Sequence, residues 1–297
     1  GTNTFKGTAY MYHRNENMRG DAVDREQITG ARAKDQQTTW GFSLGGPIIK
    51  NKLFFFVNAE NEPSPTEVIK WRPSVDGIAD ETKMISRVKK SDADQMISFL
   101  KSNYGYDPGS YDDYNRSMGT MRLLARLDWN INQNNKFAFR YNYTNSDLWQ
   151  APSTSRDVPT LSNAMDSKDG LVFSNAMYHK NFLIYTISAD LNSRLSQNLS
   201  NQLLVTYSNN QEVRDNDVDN FFPFVEIAAG DLGDSGSPYM NFGTELFTYR
   251  NNVQNTILTV KDDITWYKGT HKVTAGLSFE SQMALNTYMR NGTGMFQ

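Results

Sequence analysis

Apolar and polar residues alternate along several stretches of this chain, and each stretch ends in a short polar segment. In residues 121–131 one parity is apolar, and the other is polar or charged except at Leu124. Residues 137–144 repeat the pattern after the segment Asn-Gln-Asn-Asn at 132–135. Because successive side chains of a strand point to opposite faces, these stretches predict a β-hairpin with one apolar and one polar face.

The same unit recurs along the chain. Roughly nine strands are predicted, a single strand followed by four hairpins. They lie at residues 4–14, 38–45, 52–60, 121–131, 137–144, 183–192, near 203–207, at 254–267 and at 273–279. Asp262 breaks the pattern, since it shares parity with Leu258 and Val260. Either a bulge or a position near the rim of a barrel would explain this exception.

The connections between predicted strands fall into two length classes that alternate along the chain. Short ones lie near residues 46–51, 132–135, 193–198 and 268–270, and long ones near 15–37, 61–119, 148–181 and 212–253. Outer-membrane barrels segregate their loops in this way, with short periplasmic turns and long extracellular loops. We therefore predict an all-β fold, a partial transmembrane antiparallel β-barrel over residues 1–297.

The composition supports half-buried strands rather than membrane helices. The chain has 17 Phe, 15 Tyr and 5 Trp but a negative mean hydropathy, which suits strands with only one apolar face. No stretch approaches the ~18 consecutive apolar residues of a membrane helix. The net charge of −3 gives no support for nucleic-acid binding, and the lack of cysteine excludes disulfides and thiolate metal sites.

Aromatic residues lie near both ends of the predicted strands. Trp129 and Trp266 are close to short turns, whereas Tyr143 and Trp40 are nearer the long connections. This placement predicts two aromatic belts at the two membrane interfaces. In the longest connection, residues 91–104 predict a surface helix with Ser91 and Asp92 as its capping residues and a stop at Gly105.

Two segments carry a family resemblance. The two segments are residues 1–14, GTNTFKGTAYMYHR, and residues 41–60, GFSLGGPIIKNKLFFFVNAE. The first resembles the junction between plug domain and first barrel strand in TonB-dependent receptors. The second resembles the next hairpin of their Oar-like branch, where a Gly-Gly-Pro turn precedes Asn-Lys and a run of phenylalanines. We expect Gly45, Gly46 and Pro47 to form that tight turn.

The resemblance implies a receptor of the outer membrane of Gram-negative bacteria. Its members form barrels of about 22 strands with a plugged lumen. They move a ligand across the outer membrane with energy from an inner-membrane complex. Residues 1–297 contain neither a plug nor a TonB-contacting segment, and residues 1–20 lack a signal-peptide pattern. We therefore interpret the chain as the start of a barrel, whose plug and further strands are not part of this sequence. Outer-membrane lipid, the plug, the TonB complex and an unidentified extracellular ligand are the expected partners.

Two clusters of charged residues are candidates for function. Arg122, Arg126 and Arg140 share the polar face of one hairpin with Asp128, as expected for a lumen wall that contacts a plug or guides a substrate, or for ordinary ion pairing within the lumen. The ligand-binding residues themselves are not predicted.

The second cluster lies in a long connection. Asp215, Asp217, Asp219 and Glu226 occupy positions 1, 3, 5 and 12 of an EF-hand calcium loop. Asn220 replaces the usual glycine at position 6, and no helices flank the segment. A Ca²⁺ site in an extracellular loop and a solvated acidic loop both fit this pattern.

An enzyme is disfavoured. Residues 233–238, GDSGSP, resemble the nucleophile segment of trypsin-like proteases, but the three histidines lack the sequence context of a catalytic base. No catalytic residues are predicted. The alternative to a transporter is a soluble all-β binding or adhesion module, in which a second sheet would cover the apolar face.

Overall fold

A computed structural model describes residues 1–28, 35–112, 115–153, 166–216, 221–229 and 237–296. The one α-helix among them is α1, Lys90–Tyr104. In chain order the strands are β1 Lys6–Arg14, β2 Ala22–Val23, β3 Glu26–Gln27, β4 Gln37–Ile49, β5 Leu53–Pro63, β6 Thr66–Glu67, β7 Arg72–Ser74, β8 Ile85–Lys89, β9 Asn115–Arg116, β10 Gly119–Asn130, β11 Asn135–Gln150, β12 Leu171–Val172, β13 Tyr178–Arg194, β14 Leu199–Asp215, β15 Phe224–Ala229, β16 Ser237–Phe242, β17 Asn252–Lys268, β18 His271–Thr287 and β19 Met295–Phe296.

Nine long strands form one antiparallel sheet in the order β1-β4-β5-β10-β11-β13-β14-β17-β18. Each strand pairs with its neighbour in sequence among these nine, so the sheet is a continuous meander. The sheet does not close on itself, and β1 and β18 are its edges. Pairing of β17 with both neighbours runs without a shift through Asp262, which rules out a bulge there. The nine strands and the single-strand-plus-hairpins order confirm the sequence prediction.

The two faces of this sheet differ as the alternation predicts. The register places eight large apolar side chains on one face, namely Leu123, Leu127, Phe137, Phe139, Leu203, Val205, Val273 and Leu277. Leu127 is 40% exposed and Leu277 is 83% exposed. Among the described residues, no second sheet covers this face. The soluble sandwich was therefore the wrong alternative, because its apolar face would be buried.

The predicted turn at Gly46 and Pro47 is wrong. Both residues belong to β4, and the chain reverses at residues 50–52, where Asn51 adopts a φ of 63°. A close approach favours a glycine here, since a Cβ on Gly46 would lie 2.5 Å from the ring of Phe5. The Gly-Gly-Pro segment thus makes room for a neighbouring aromatic side chain rather than for the reversal.

The hydrophobic core lies outside the large sheet. Most of the buried apolar side chains, including Ile69, Leu100, Phe173 and Phe224, belong to the long connections. These connections build a four-stranded sheet, β12-β16-β15-β19, and shorter two-stranded pairs. We call this packed unit the loop cap; it comprises the described parts of residues 64–118, 151–177, 216–251 and 288–296. It lies at the end of the sheet opposite the short turns.

Helix α1 belongs to the loop cap and matches the predicted helix closely. Its C-terminal end is as expected, because Gly105 adopts a φ of 62° and its N–H bonds back to the last turn. The predicted capping role of Ser91 and Asp92 is wrong: the N-cap is Lys89, and no side chain caps it. Among the described residues, no helix is long and apolar enough to span a bilayer, a finding that concerns helices alone.

Candidate functional site

The loop cap is held together by an aromatic core between α1 and the four-stranded sheet. Phe173 and Phe242 are almost fully buried and meet edge to face, with ring centroids 6.2 Å apart. Tyr106 stacks on Phe222 at 4.1 Å. Residues from the connections that follow β5, β11 and β14 meet in this core. The long connections therefore form one folded body rather than separate loops.

A partly buried carboxylate ties two of these connections together. Asp166 accepts hydrogen bonds from the backbone N–H groups of Lys70 and Trp71, at 2.9 and 3.0 Å. Burial raises the pKa of the Asp166 carboxyl, while these two hydrogen bonds oppose the rise. Because each N–H would lack this partner without Asp166, the carboxylate fixes the path of the segment before β7.

Helix α1 is anchored at its N-terminal end by tyrosine hydroxyls. Tyr239 on β16 donates to Asp92 at 2.6 Å, and Tyr111 donates to Asp94 at 2.5 Å. The hydrogen bond from Tyr111, reinforced by Lys90, lowers the pKa of the Asp94 carboxyl. These contacts hold α1 against β16, so the surface between the helix and the sheet has a defined shape.

The polar face of the large sheet carries a network of charged side chains, which we call the inner wall. Glu60 on β5 receives a hydrogen bond from Tyr10 and one from Arg122, both at 2.6 Å. Arg122 also lies 3.6 Å from Glu62. Tyr10 reaches Glu60 across Gly41, where a Cβ would lie 2.5 Å from the tyrosine oxygen. Strands β1, β5 and β10 are thereby linked on the polar face.

The arginines singled out in the sequence behave differently from one another. Arg126 forms a bidentate pair with Asp128, with nitrogen–oxygen distances of 2.6 to 2.9 Å. Arg140 lies opposite Arg126 in the register. Among the described residues, no carboxylate lies within ion-pair distance of Arg140. The wall thus has internal ion pairing, as one of the two interpretations expected, and a cation with no acid partner in the described part.

The apolar face changes character toward the loop cap. Tyr143 faces Tyr185 in the register, and the ring of Tyr185 lies 6.1 Å from that of Tyr207. Beyond this tyrosine row the same face gains polar groups, since Asp147 accepts a hydrogen bond from Asn181 and pairs with His179. The apolar band therefore ends at a row of amphipathic rings.

The other predicted belt residues share this face. Trp129 and Trp266 point to the apolar side near the short turns, and Trp40 points there near the start of β4. The position of these rings relative to lipid stays a prediction.

The predicted calcium ligands are only partly described. Asp217 and Asp219 lie outside the described residues. Asp215 accepts a hydrogen bond from the N–H of Asn216, and Glu226 lies buried in β15. In the described part of the chain, no group of three or more acidic or histidine side chains could hold a metal ion. The calcium site therefore stays a prediction, and most of the 233–238 segment also lies outside the described residues.

Sequence reasoning missed the loop cap as a folded unit with a core. The signal was present in short continuous apolar runs, such as Leu171-Val172-Phe173 and the phenylalanines at 221, 222 and 224. Such runs inside a long loop indicate burial on both sides rather than solvent exposure. The partners of these runs could not be read from the pattern because they come from different connections.

The meander of long strands, its apolar outer band and its polar inner wall define a segment of a membrane-spanning β-barrel. A family model described as "Outer membrane beta barrel domain" matches residues 1–69 and 84–297, and the chain belongs to this family. It is therefore a protein of the outer membrane. A comparison with curated proteins found no match.

Solved structures of outer-membrane transporters are similar to the chain. The outer membrane transporter YddB from Escherichia coli matches with a TM-score of 0.51 at 8% identity, over 96% of this chain and 31% of YddB. The chain thus spans about a third of the length of that protein. The Pseudomonas putida toluene transporter TodX matches with a TM-score of 0.27 at 9% identity, over 93% of this chain and 64% of TodX. The likeness to YddB shows the fold alone.

Proposed function

We propose that the chain is the first part of the barrel of a TonB-dependent receptor of the Oar-like branch. In this proposal the loop cap faces the outside of the cell and captures a ligand. The apolar face contacts outer-membrane lipid, and the inner wall contacts a plug domain. The whole receptor transports the ligand across the outer membrane with energy from the TonB complex.

The observation that carries this proposal is the charged inner wall. Arg140 lies opposite Arg126 on this wall, is exposed, and has no acid partner within ion-pair distance in the described residues. In this proposal the exposed guanidinium is free to pair with an acidic side chain of a plug that enters the lumen.

Two further observations support the class. The pattern of residues 41–60 resembles the corresponding hairpin of Oar-like receptors. YddB is described as an outer membrane transporter, and its fold matches nearly the whole chain. A transport role for the full protein agrees with the absence of a predicted catalytic constellation.

Site-specific photocrosslinking in the full-length protein tests the proposal. Ser188 lies opposite Arg140 on the inner wall, whereas its neighbour Ile187 points to the apolar face. A p-benzoylphenylalanine in place of Ser188 should crosslink within the chain to residues of the plug. The same group in place of Ile187 is the matched control and should crosslink to lipid instead. Crosslinks to lipid from both positions, or to the plug from both, would contradict the proposal.

The energy requirement needs a separate measurement. The full-length protein should bind the purified periplasmic domain of TonB in a pull-down, and removal of its TonB-contacting segment should abolish binding. Absence of binding by the intact protein would leave an outer-membrane barrel but remove the TonB-dependent assignment.

A further inference from the structure

An apolar cavity opens on the loop cap between α1 and the strands β15 and β16. Its volume is about 500 Å³, and its lining includes Met96, Phe99 and Tyr104 from the helix. The facing wall includes Ile227 on β15 and Phe296 on β19. None of its lining residues carries a charge, and the Tyr104 hydroxyl is the one polar side-chain group among them. A volume of 300 to 1,000 Å³, roughly, is the usual range for small-molecule sites.

The cavity leaves large apolar groups in contact with water. Phe99 is 48% exposed, and Tyr104 is 62% exposed. Exposed apolar residues that occur singly are ordinary, whereas a contiguous concave group of aromatic side chains marks a binding site. Covering these rings with an apolar partner would release water from all of them at once, which provides a driving force for binding.

The floor of the cavity belongs to the packed core of the loop cap. Leu100 and Phe242 line it and are 2% and 3% exposed, because they also belong to the core of the loop cap. Phe222 is held between Tyr106, stacked at 4.1 Å, and Tyr104, which meets it edge to face at 5.9 Å. A lining that is fixed by the core loses little conformational entropy when a ligand enters.

We propose that this cavity binds an uncharged apolar group, the size of one or two fused aromatic rings, on the extracellular ligand. This inference rests on the proposed function, since it names the chemistry that the loop cap would capture. A sugar fits poorly because the lining could satisfy few of its hydroxyls, and each buried unpaired hydroxyl costs about 1–3 kcal/mol. An anionic group fits poorly because no cation lines the cavity.

Thiol protection in isolated outer membranes tests the proposal with the full-length protein. The chain contains no cysteine, so Ile227→Cys places a single thiol of this segment in the cavity. Val75→Cys is the control, because Val75 is 91% exposed and does not line the cavity. The rate of reaction with N-ethylmaleimide is measured with increasing 1-naphthol, 1-naphthalenesulfonate or maltose.

1-Naphthol should slow labelling of the cavity thiol saturably, by about fivefold or more, and leave the control thiol unchanged. The sulfonate should need about tenfold higher concentrations, since its charge would be desolvated, and maltose should have no effect. Equal slowing at both thiols, no slowing at the cavity thiol, or a cavity thiol that fails to react without a probe would each overturn the proposal.

A second pair of variants guards against a misfolded cysteine variant. In the Ile227→Cys background, Phe99→Ala removes an exposed ring from the rim and should raise the half-protecting 1-naphthol concentration about five- to tenfold. Phe221→Ala removes a ring that is 53% exposed and does not line the cavity, and it should leave that concentration unchanged. If Phe99→Ala and Phe221→Ala changed the half-protecting 1-naphthol concentration equally, the result would contradict binding in this cavity.

The outcome is separable from the proposed function. Protection of the cavity thiol together with failure to bind TonB would support the apolar site and reject the TonB-dependent receptor. TonB binding together with unprotected cavity thiol would reject the apolar site alone.

Discussion

Asn201 on β14 donates a side-chain hydrogen bond to the carboxylate of Asp262 on β17, on the apolar face of the sheet. Leu203 and Leu277 flank Asp262 in the register on either side. Because the strand pairing is regular, a bulge does not explain why an acidic residue lies on the apolar face. It lies six residues before the end of β17 at Lys268, and Asn201 partly compensates for its desolvation.

Replacement of Asp262 tests whether this face contacts lipid. Asp262→Leu should stabilise the full-length barrel in a bilayer by about 1–2 kcal/mol, because an acid on a lipid-facing position costs free energy. The matched control is Asp263→Leu, which faces the inner wall and removes an ion pair with Lys261 at 2.7 Å. The control should destabilise by at most about 1 kcal/mol. Unfolding by urea in lipid vesicles measures the free energy of unfolding of both variants. A larger loss of stability in Asp262→Leu than in Asp263→Leu would argue against lipid contact.

The small size of Gly41 is predicted to control the Tyr10–Glu60 contact. Gly41→Val should push the Tyr10 ring away from β4, since the new Cβ would lie 2.5 Å from the Tyr10 oxygen and 3.1 Å from a backbone carbonyl of β5. The full-length protein should lose about 1–3 kcal/mol of stability. Tyr10→Phe, which removes only the hydroxyl, should lose less. If thermal unfolding shows equal losses for both variants, the ring moves without strain and the steric argument fails.

The segment before β7 should loosen when Asp166 is removed. Asp166→Ala leaves the N–H groups of Lys70 and Trp71 without their acceptor, at a cost of about 1–3 kcal/mol for the local contact. Amide hydrogen exchange at these two residues should accelerate accordingly. Asp76→Ala serves as the control, because Asp76 accepts a hydrogen bond only two residues away, from the N–H of Ile78. Unchanged exchange in Asp166→Ala would show that the segment is held by other contacts.

An acid-dependent change is expected at the turn before β8. The hydrogen bonds from Thr82, and then from Lys83, lower the pKa of the Asp80 carboxyl from 3.8 to about 2. Since the folded-state pKa is depressed, the stabilisation is present above pH 3.8 and is lost as the pH falls through about 2. The amide of Thr82 should lose protection over that window, after correction for the intrinsic exchange rate.

Asp80→Asn should abolish this pH dependence, because the amide side chain does not titrate while its oxygen can still accept from the Thr82 N–H. The same loss of protection in the variant would assign the effect to another group.

The strands and their faces followed from the sequence because alternation is a local property. The side chains of Leu123 and Phe137 lie on the predicted face, and every predicted strand lies within an observed one or overlaps it. The sequence pattern gave a wrong prediction where the role of a residue depends on a side chain from a neighbouring segment. The pattern predicts a turn at Gly46, but in the structure this glycine lies in β4 against the ring of Phe5, the residue before β1.

The sequence alone determined that this chain forms a meander of membrane-spanning strands, since side-chain direction in a strand depends only on residue parity. The tertiary structure decided how the long connections pack. Phe99, Phe242 and Phe296 come from segments far apart in the chain, and their shared cavity exists only because the connections after β5 and β14 meet the segment after β18. No local pattern encodes such a meeting, because the contact energy depends on which distant segments reach the same end of the sheet.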